Sequence, residues 1–121
     1  MNKIDTSIKD AVETALVSKR DGHRTLGNAV VAWSDKDVAV AYCGNQVFKF
    51  DKRTKSWWID NCGWITRMTK NKVEACMEAA GLPYRYFIKR REQWLRNVET
   101  GMTWKCGNGR ITQSDIESAG L

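Results

Sequence analysis

Residues 29–60 read AVVAWSDKDVAVAYCGNQVFKFDKRTKSWWID, and this stretch decides the fold. It contains four segments rich in β-branched and aromatic residues, which are typical of strands. Short charged or glycine-containing segments separate them, including a two-residue hairpin signal at Gly44 and Asn45. The predicted strands are 29–33, 38–42, 47–50 and 56–60. Strands joined by such tight turns predict an antiparallel β-meander.

A helix is predicted ahead of the meander, over residues 4–19. Its apolar residues recur with helical spacing on one face. They are Ile8, Val12, Ala15 and Leu16. Asp5 or Thr6 is expected to cap its first turn, because both side chains can accept a backbone hydrogen bond there. We expect this helix to be an N-terminal appendage, residues 1–22, beside a core of residues 24–98.

A second helix is predicted after the meander, from a cap at Thr69 or Asn71 to about residue 80. Gly81 suits the left-handed position just past a helix end, and Pro83 cannot continue a helix. This is the best-defined boundary that the sequence offers.

The remaining chain predicts a hairpin of strands 84–88 and 93–98, a short strand at 102–106 and a short helix at 111–119. The whole sequence, residues 1–121, is therefore expected to form one α+β domain. Its predicted architecture is an antiparallel β-meander with a packed helix and a following hairpin, plus the N-terminal helix.

The charge of the chain is positive and unevenly placed. Lys and Arg number 20 against 14 Asp and Glu, a net charge of +6. Residues 51–110 hold 13 basic and six acidic side chains, whereas residues 1–50 are nearly neutral. A positive field of this kind favours a polyanionic partner, although a moderate charge also serves solubility.

Two runs combine basic with aromatic side chains, residues 52–58 and residues 84–91. Such runs suit nucleic acid, because charge holds the phosphate backbone while rings stack on bases. Each has an ordinary alternative: a charged turn with one core Trp for the first, and an edge strand protected by charge for the second. In the second run, alternation predicts one face with Tyr84, Tyr86 and Ile88 and another with Arg85, Phe87 and Lys89.

The start of the second helix offers a further anion site, since helix N-termini attract phosphate. Its candidate contacts are Thr66, Arg67, Thr69, Lys70 and Lys72. Ordinary helix capping is the alternative. Taken together, the predicted nucleic-acid-binding residues are Lys52, Arg53, Lys55, Trp57, Arg67, Lys70, Arg85, Lys89, Arg90 and Arg91.

Catalytic and cofactor signatures are weak. The four cysteines include no closely spaced pair of the kind that zinc sites use, and no phosphate-loop motif is present. Cys62 with His23, the single histidine, would be the nucleophile and base of an enzyme, but nothing in the sequence orients them. We therefore predict a non-catalytic protein without metal or cofactor.

The setting is predicted to be the cytoplasm. Four cysteines without a disulfide-like arrangement are expected to be reduced thiols. The charged N-terminus does not have the pattern of a signal peptide, and no apolar run approaches the ~20 residues of a membrane span.

Three runs carry a resemblance: TLGNAV at 25–30, VAYCGN at 40–45 and GWITRMTK at 63–70. Together they resemble a family of small phage-encoded proteins that has no established activity, over about residues 24–96. The resemblance implies expression in a bacterial host during infection, and it supplies no catalytic residues.

Two functions follow as hypotheses. The first is a small basic accessory protein that binds nucleic acid or a nucleoprotein through its second half. The alternative is a phage inhibitor that docks on a host protein through exposed Trp and Arg side chains, which are common interface anchors. Six Trp in a chain of this length favour an exposed binding surface in either case.

Overall fold

The computed structural model describes residues 2–121, which form an α+β fold of three helices and nine strands. The helices are α1 (Lys3–Val17), α2 (Arg67–Ala79) and α3 (Gln113–Ser118). The strands are β1 (Gly22–Leu26), β2 (Ala29–Trp33), β3 (Asp37–Tyr42), β4 (Asn45–Asp51), β5 (Trp57–Asp60), β6 (Tyr84–Lys89), β7 (Glu92–Asn97), β8 (Thr103–Gly107) and β9 (Arg110–Thr112). The predicted fold class is confirmed.

The strands form two antiparallel sheets. The large sheet has the order β1-β2-β3-β4-β5-β9, and the small sheet has the order β6-β7-β8. The meander starts one strand earlier than predicted, because β1 carries polar residues (His23, Arg24 and Thr25) that hide its strand character. The helix predicted over residues 111–119 starts too early, because residues 110–112 form β9. Three residues whose partner β5 lies about 50 positions earlier give no local signal.

The turn between β3 and β4 lies one residue before its predicted position. Cys43 and Gly44 are its two central residues, with φ angles of 51° and 83°, and Asn45 already pairs with Tyr42. Two consecutive left-handed residues are the mark of the type I′ hairpin turn, whose twist matches that of the strands.

Two predicted helix caps are wrong. The side chain of Asn2, and not of Asp5 or Thr6, caps α1 by accepting the backbone N–H of Asp5. Thr66 caps α2 by accepting the N–H of Thr69 at 3.2 Å, so the cap lies three residues before the nearer of the two predicted positions. In both cases a polar residue upstream of the candidates already satisfies the first free N–H groups.

The predicted end of α2 is confirmed. Gly81 has a φ of 68°, and its N–H donates to the carbonyl of Glu78 at 3.0 Å. The N–H of Leu82 donates to the carbonyl of Met77 at 3.1 Å. These two bonds form the Schellman motif that closes a helix with a left-handed glycine.

The core lies between the inner faces of the sheets and the two long helices. Trp57 of the large sheet and Tyr84 of the small sheet meet across it, with ring centroids 6.0 Å apart. The helix α1, predicted as an appendage, supplies fully buried residues to this core. Ile111 and Ile116 also belong to the core, which therefore includes residues beyond 98. Those contributed by α1 are Ile8, Ala11, Val12 and Ala15.

Two buried amides hold the sheets together. Gln93 accepts the hydroxyl of Tyr86 at 2.6 Å and donates to the carbonyls of Gly107 and Gly109. Asn61 accepts the N–H groups of Gly63 and Gly109 and donates to the side chain of Asn108 at 3.1 Å. These bonds fix the turn at residues 107–109, through which the chain passes from the small sheet to the large one.

Candidate nucleic-acid interface

The outer face of the small sheet turns away from the core. In β6, Tyr86 is 1% exposed and points inward, whereas Arg85 and Lys89 are exposed. The predicted division of this strand into two faces is therefore present, and Phe87 lies on the outer face with the two basic residues.

The neighbouring strands extend this face. Phe87 pairs with Trp94 of β7, and Trp94 pairs in turn with Lys105 of β8. Arg85 pairs with Arg96 in the same way. We call the resulting surface the basic sheet face. Its members are Arg85, Phe87, Lys89, Glu92, Trp94, Arg96, Thr103 and Lys105.

Two aromatic rings form the middle of the basic sheet face. The rings of Phe87 and Trp94 are nearly parallel, with planes 20° apart and centroids separated by 6.1 Å. Both side chains are half-buried, and the ammonium of Lys89 lies 5.3 Å from the centre of the Trp94 ring. The indole N–H of Trp94 is enclosed without a hydrogen-bond acceptor among the described residues. An unpaired donor of this kind costs about 1–3 kcal/mol.

The charge on the basic sheet face is strongly positive. Its single carboxylate, Glu92, pairs with Lys105 at 3.6 Å. Arg96 makes no ion pair within residues 2–121. Four cationic side chains thus surround two rings, which is the combination that single-stranded nucleic-acid sites use.

The hairpin tip beside this face is built in an unusual way. Arg90 and Arg91 occupy both left-handed positions of the β6–β7 turn, with φ angles of 52° and 64°. Long side chains rarely adopt this conformation, which costs roughly 1–2 kcal/mol per residue, and Asn-Gly is the usual choice. Both arginines are exposed, and Asn108 holds the turn through the carbonyl of Arg91. Packing therefore does not explain why arginines occupy the turn.

Helix α2 adds a charged cluster at the opposite end of the face. One oxygen of Glu74 lies 3.3 Å from the Nε of Arg85, and the other lies 3.3 Å from the Nζ of Lys70. The cluster lines a groove of about 590 Å³ together with Phe87 and Arg96. Of the predicted site residues, Lys70, Arg85, Lys89, Arg90 and Arg91 are thus brought to one side of the molecule.

The predicted residues of the β4–β5 turn lie elsewhere. Arg53 and Lys55 are exposed there, and no hydrogen bond or ion pair between the described residues joins them to the basic sheet face. Backbone N–H groups of Thr54 and Arg53 donate to Asp51 and hold the pKa of its carboxyl below the usual value. This arrangement orders the turn.

Three predicted contacts are corrected by their surroundings. Trp57 is 5% exposed and belongs to the core, so its ring is not available to a base. The ammonium of Lys52 donates to the carbonyls of Ser18 and Ser34. Lys72, a candidate of the α2 N-terminus, is buried and paired with Asp5. Arg67 remains exposed in the first turn of α2, where it lines a second groove of about 900 Å³.

Sequence reasoning missed Trp94, Arg96 and Lys105. Alternation along β7 does place Trp94 and Arg96 on one face, and this signal was available. Their position opposite Phe87 and Arg85 depends on the strand register, which the sequence alone leaves open.

The two candidates for nucleophilic catalysis do not meet. His23 lies on β1 and Cys62 follows β5, so four strand spacings of about 4.8 Å separate their strands. Burial, and then the neighbouring Asp60, raise the pKa of the Cys62 thiol, whose hydrogen points to the carbonyl of Gln46. The thiol is thus kept protonated at neutral pH.

Within the described part of the chain, residues 2–121, no group of three or more His, Cys, Asp or Glu side chains is arranged to hold a metal ion. Nor does any helix there combine the length and the apolar character needed to cross a membrane.

No protein-family model matches the chain, and neither the curated proteins nor the solved structures compared with it gave a match. The resemblance to phage-encoded proteins therefore stays a prediction.

Proposed function

We propose that the protein is a non-catalytic module that binds single-stranded nucleic acid on the basic sheet face. The observation that carries this proposal is the pair of parallel rings, Phe87 and Trp94, at the centre of a face with four cationic side chains. Unpaired bases stack on such rings, while Lys and Arg neutralise the phosphates beside them.

The hairpin tip supports the same proposal. Arg90 and Arg91 hold unfavourable backbone conformations at the end of the platform. Strain that packing does not require is common where a residue serves binding. We propose that these two side chains guide the phosphate backbone onto the rings. Following the resemblance, we place this activity in the cytoplasm of an infected bacterium.

Binding of fluorescent oligonucleotides tests the proposal. An oligothymidylate of about 12 nucleotides and a duplex of equal length are titrated at about 50 mM and about 200 mM salt. We expect the single strand to bind more tightly, because its bases are free to stack, and affinity to fall steeply with salt. If the single strand does not bind at the lower salt concentration, the proposal is ruled out.

A matched pair of variants locates the site. Changing Lys89 and Lys105 to Ala removes two exposed charges from the basic sheet face, and changing Arg53 and Lys55 to Ala removes two from the β4–β5 turn. We expect roughly tenfold weaker binding for the first variant and a much smaller change for the second. If the Arg53 and Lys55 variant loses more affinity than the Lys89 and Lys105 variant, the binding site is at the β4–β5 turn.

Docking on a partner protein is the second candidate. Trp64, in the turn before α2, and Met68, in its first turn, are 60% and 58% exposed, and Arg67 lies between them in the sequence. Exposed Trp and Arg side chains anchor many protein interfaces. A hot-spot interface of this kind depends much less on salt than phosphate binding does, so the salt series separates the two candidates.

A further inference from the structure

Arg85 and Arg96 stand directly opposite each other on the outer face of β6 and β7. Like charges in this position destabilise a sheet unless an anion lies between them. Of the two arginines, only Arg85 has a carboxylate partner: its Nε lies beside Glu74. Arg96 has no carboxylate partner among residues 2–121. The positive charges of the two guanidinium groups are therefore not balanced by a single carboxylate.

Glu74 takes the place of such an anion beside Arg85 and Lys70, but it makes no ion pair with Arg96. Its two oxygens reach Arg85 and Lys70, both at 3.3 Å. These distances exceed the roughly 2.7–2.9 Å of a strong charge-assisted hydrogen bond, so both ion pairs are loose. The guanidinium of Arg85 has five N–H donors in all, and its ion pair with the carboxylate is at Nε, so donors remain for a second anion.

Space for a ligand lies beside the cluster. The groove of about 590 Å³ is bordered by all three cations, by the Phe87 ring and by Thr103. Arg85 and Phe87 are two positions apart on one face of β6, so their Cα atoms are about 6.6 Å apart and their side chains are neighbours on that face. A phosphate at the arginine pair is thus next to a base on the ring.

We propose that Arg85, Arg96 and Lys70 form a phosphate site for the nucleotide stacked on Phe87, and that Glu74 occupies the Arg85 and Lys70 side of this site until the phosphate displaces it. This inference rests on the proposed function. It assigns Glu74 a regulatory role: the carboxylate keeps the cations ordered and lowers affinity for the strand.

The test compares two carboxylates on the same helix. Glu74→Gln removes the competitor, and Glu78→Gln removes the same charge one turn later, where Glu78 pairs with Lys9 instead. With the labelled oligothymidylate, we expect Glu74→Gln to bind about fivefold more tightly, the scale of one partly exposed ion pair. We expect less than about a twofold change for Glu78→Gln and about tenfold weaker binding for Arg96→Gln.

A second probe separates this inference from the proposed function. Pyrophosphate is titrated against ¹⁵N-labelled protein while the Nε–Hε signals of Arg85 and Arg96 are followed, with Arg110, which lies over Trp58, as internal control. We expect selective shifts of the first two signals. If pyrophosphate shifts these signals but the oligonucleotide does not bind, the phosphate site is supported and the proposed function is overturned. Oligonucleotide binding with equal effects of Glu74→Gln and Glu78→Gln, or without shifts, overturns the phosphate site alone.

Discussion

Asp5 of α1 and Lys72 of α2 form an ion pair whose side chains are 0% and 5% exposed. The second oxygen of Asp5 is enclosed without a partner, and the ammonium of Lys72 also lies 5.4 Å from the centre of the Tyr42 ring. The pair connects residues 67 positions apart and joins the N-terminal helix to the core. Lys72, which the sequence suggests as a phosphate contact, is therefore buried and paired inside the protein.

Breaking this pair is expected to destabilise the fold strongly. Lys72→Met leaves the Asp5 carboxylate buried without its cation, which typically costs about 3–5 kcal/mol. Urea denaturation measures the change in the free energy of unfolding. The double variant Asp5→Leu, Lys72→Met is expected to be more stable than Lys72→Met alone, since no charge is then left unpaired. A single variant within about 1 kcal/mol of the wild type would contradict the buried pair.

The arginine turn is expected to favour binding at the expense of stability. Arg90→Asn with Arg91→Gly supplies the residues that a type I′ turn prefers, so we expect the free energy of unfolding to rise by about 1 kcal/mol. Oligonucleotide affinity is expected to fall roughly tenfold, because two cations leave the end of the platform.

The turn between β3 and β4 provides the matched control for that variant. Cys43→Asn gives this second type I′ turn the same Asn-Gly sequence without changing any charge. We expect higher stability with unchanged affinity. If the Arg90 and Arg91 double variant keeps full affinity, the tip takes no part in binding.

The two rings are expected to contribute separately to affinity. Phe87→Leu and Trp94→Leu keep an apolar side chain but remove the stacking surface, which is worth about 1–3 kcal/mol per base, or roughly 5- to 150-fold in affinity. Trp64→Leu, which removes a more exposed indole outside the basic sheet face, is the control. Titration with the labelled oligonucleotide measures all three. An equal loss for Trp64→Leu would mean that stacking on this face is not the source of affinity.

Stability is expected to fall in alkaline solution. Burial raises the pKa of Cys106 to about 12, and burial also raises the pKa values of Cys76 and Tyr86. Above pH 9.0, the ordinary value of a thiol, the unfolded chain releases protons that the folded protein retains. The folded state therefore binds more protons, and the free energy of unfolding decreases as pH rises, by at most about 1.4 kcal/mol per thiol and pH unit.

Urea midpoints on either side of this pH measure the effect. Cys106→Ser is expected to reduce the loss of stability above pH 9.0, because the hydroxyl does not titrate there. A flat profile across this range would show that the buried thiols titrate as they do in water.

Local signals in the sequence predicted much of the fold. Gly81 and Pro83 predicted the end of α2 because a helix end depends on a few adjacent residues. Alternation likewise predicted that Arg85, Phe87 and Lys89 share a face. Both features are decided within one element.

Features that depend on distant partners could not be predicted. Lys52 and Lys72 have the sequence surroundings of surface lysines, yet carbonyls 34 and 18 positions away hold the first, and a carboxylate 67 positions away holds the second. The basic sheet face likewise requires the register that sets Arg96 opposite Arg85. Sequence patterns describe single elements, whereas a site combines several.

The position of β9 affects the order of folding during synthesis. The partner of β5 on this side is β9, which is synthesised about 50 residues later, after the whole small sheet. Until then the edge of Trp57–Asp60 is open, and closing so long a loop slows its completion. An unpaired edge of this kind invites pairing with other nascent chains. A chain that stops at residue 109 is therefore expected to aggregate during expression, because β9 is the strand that covers this edge.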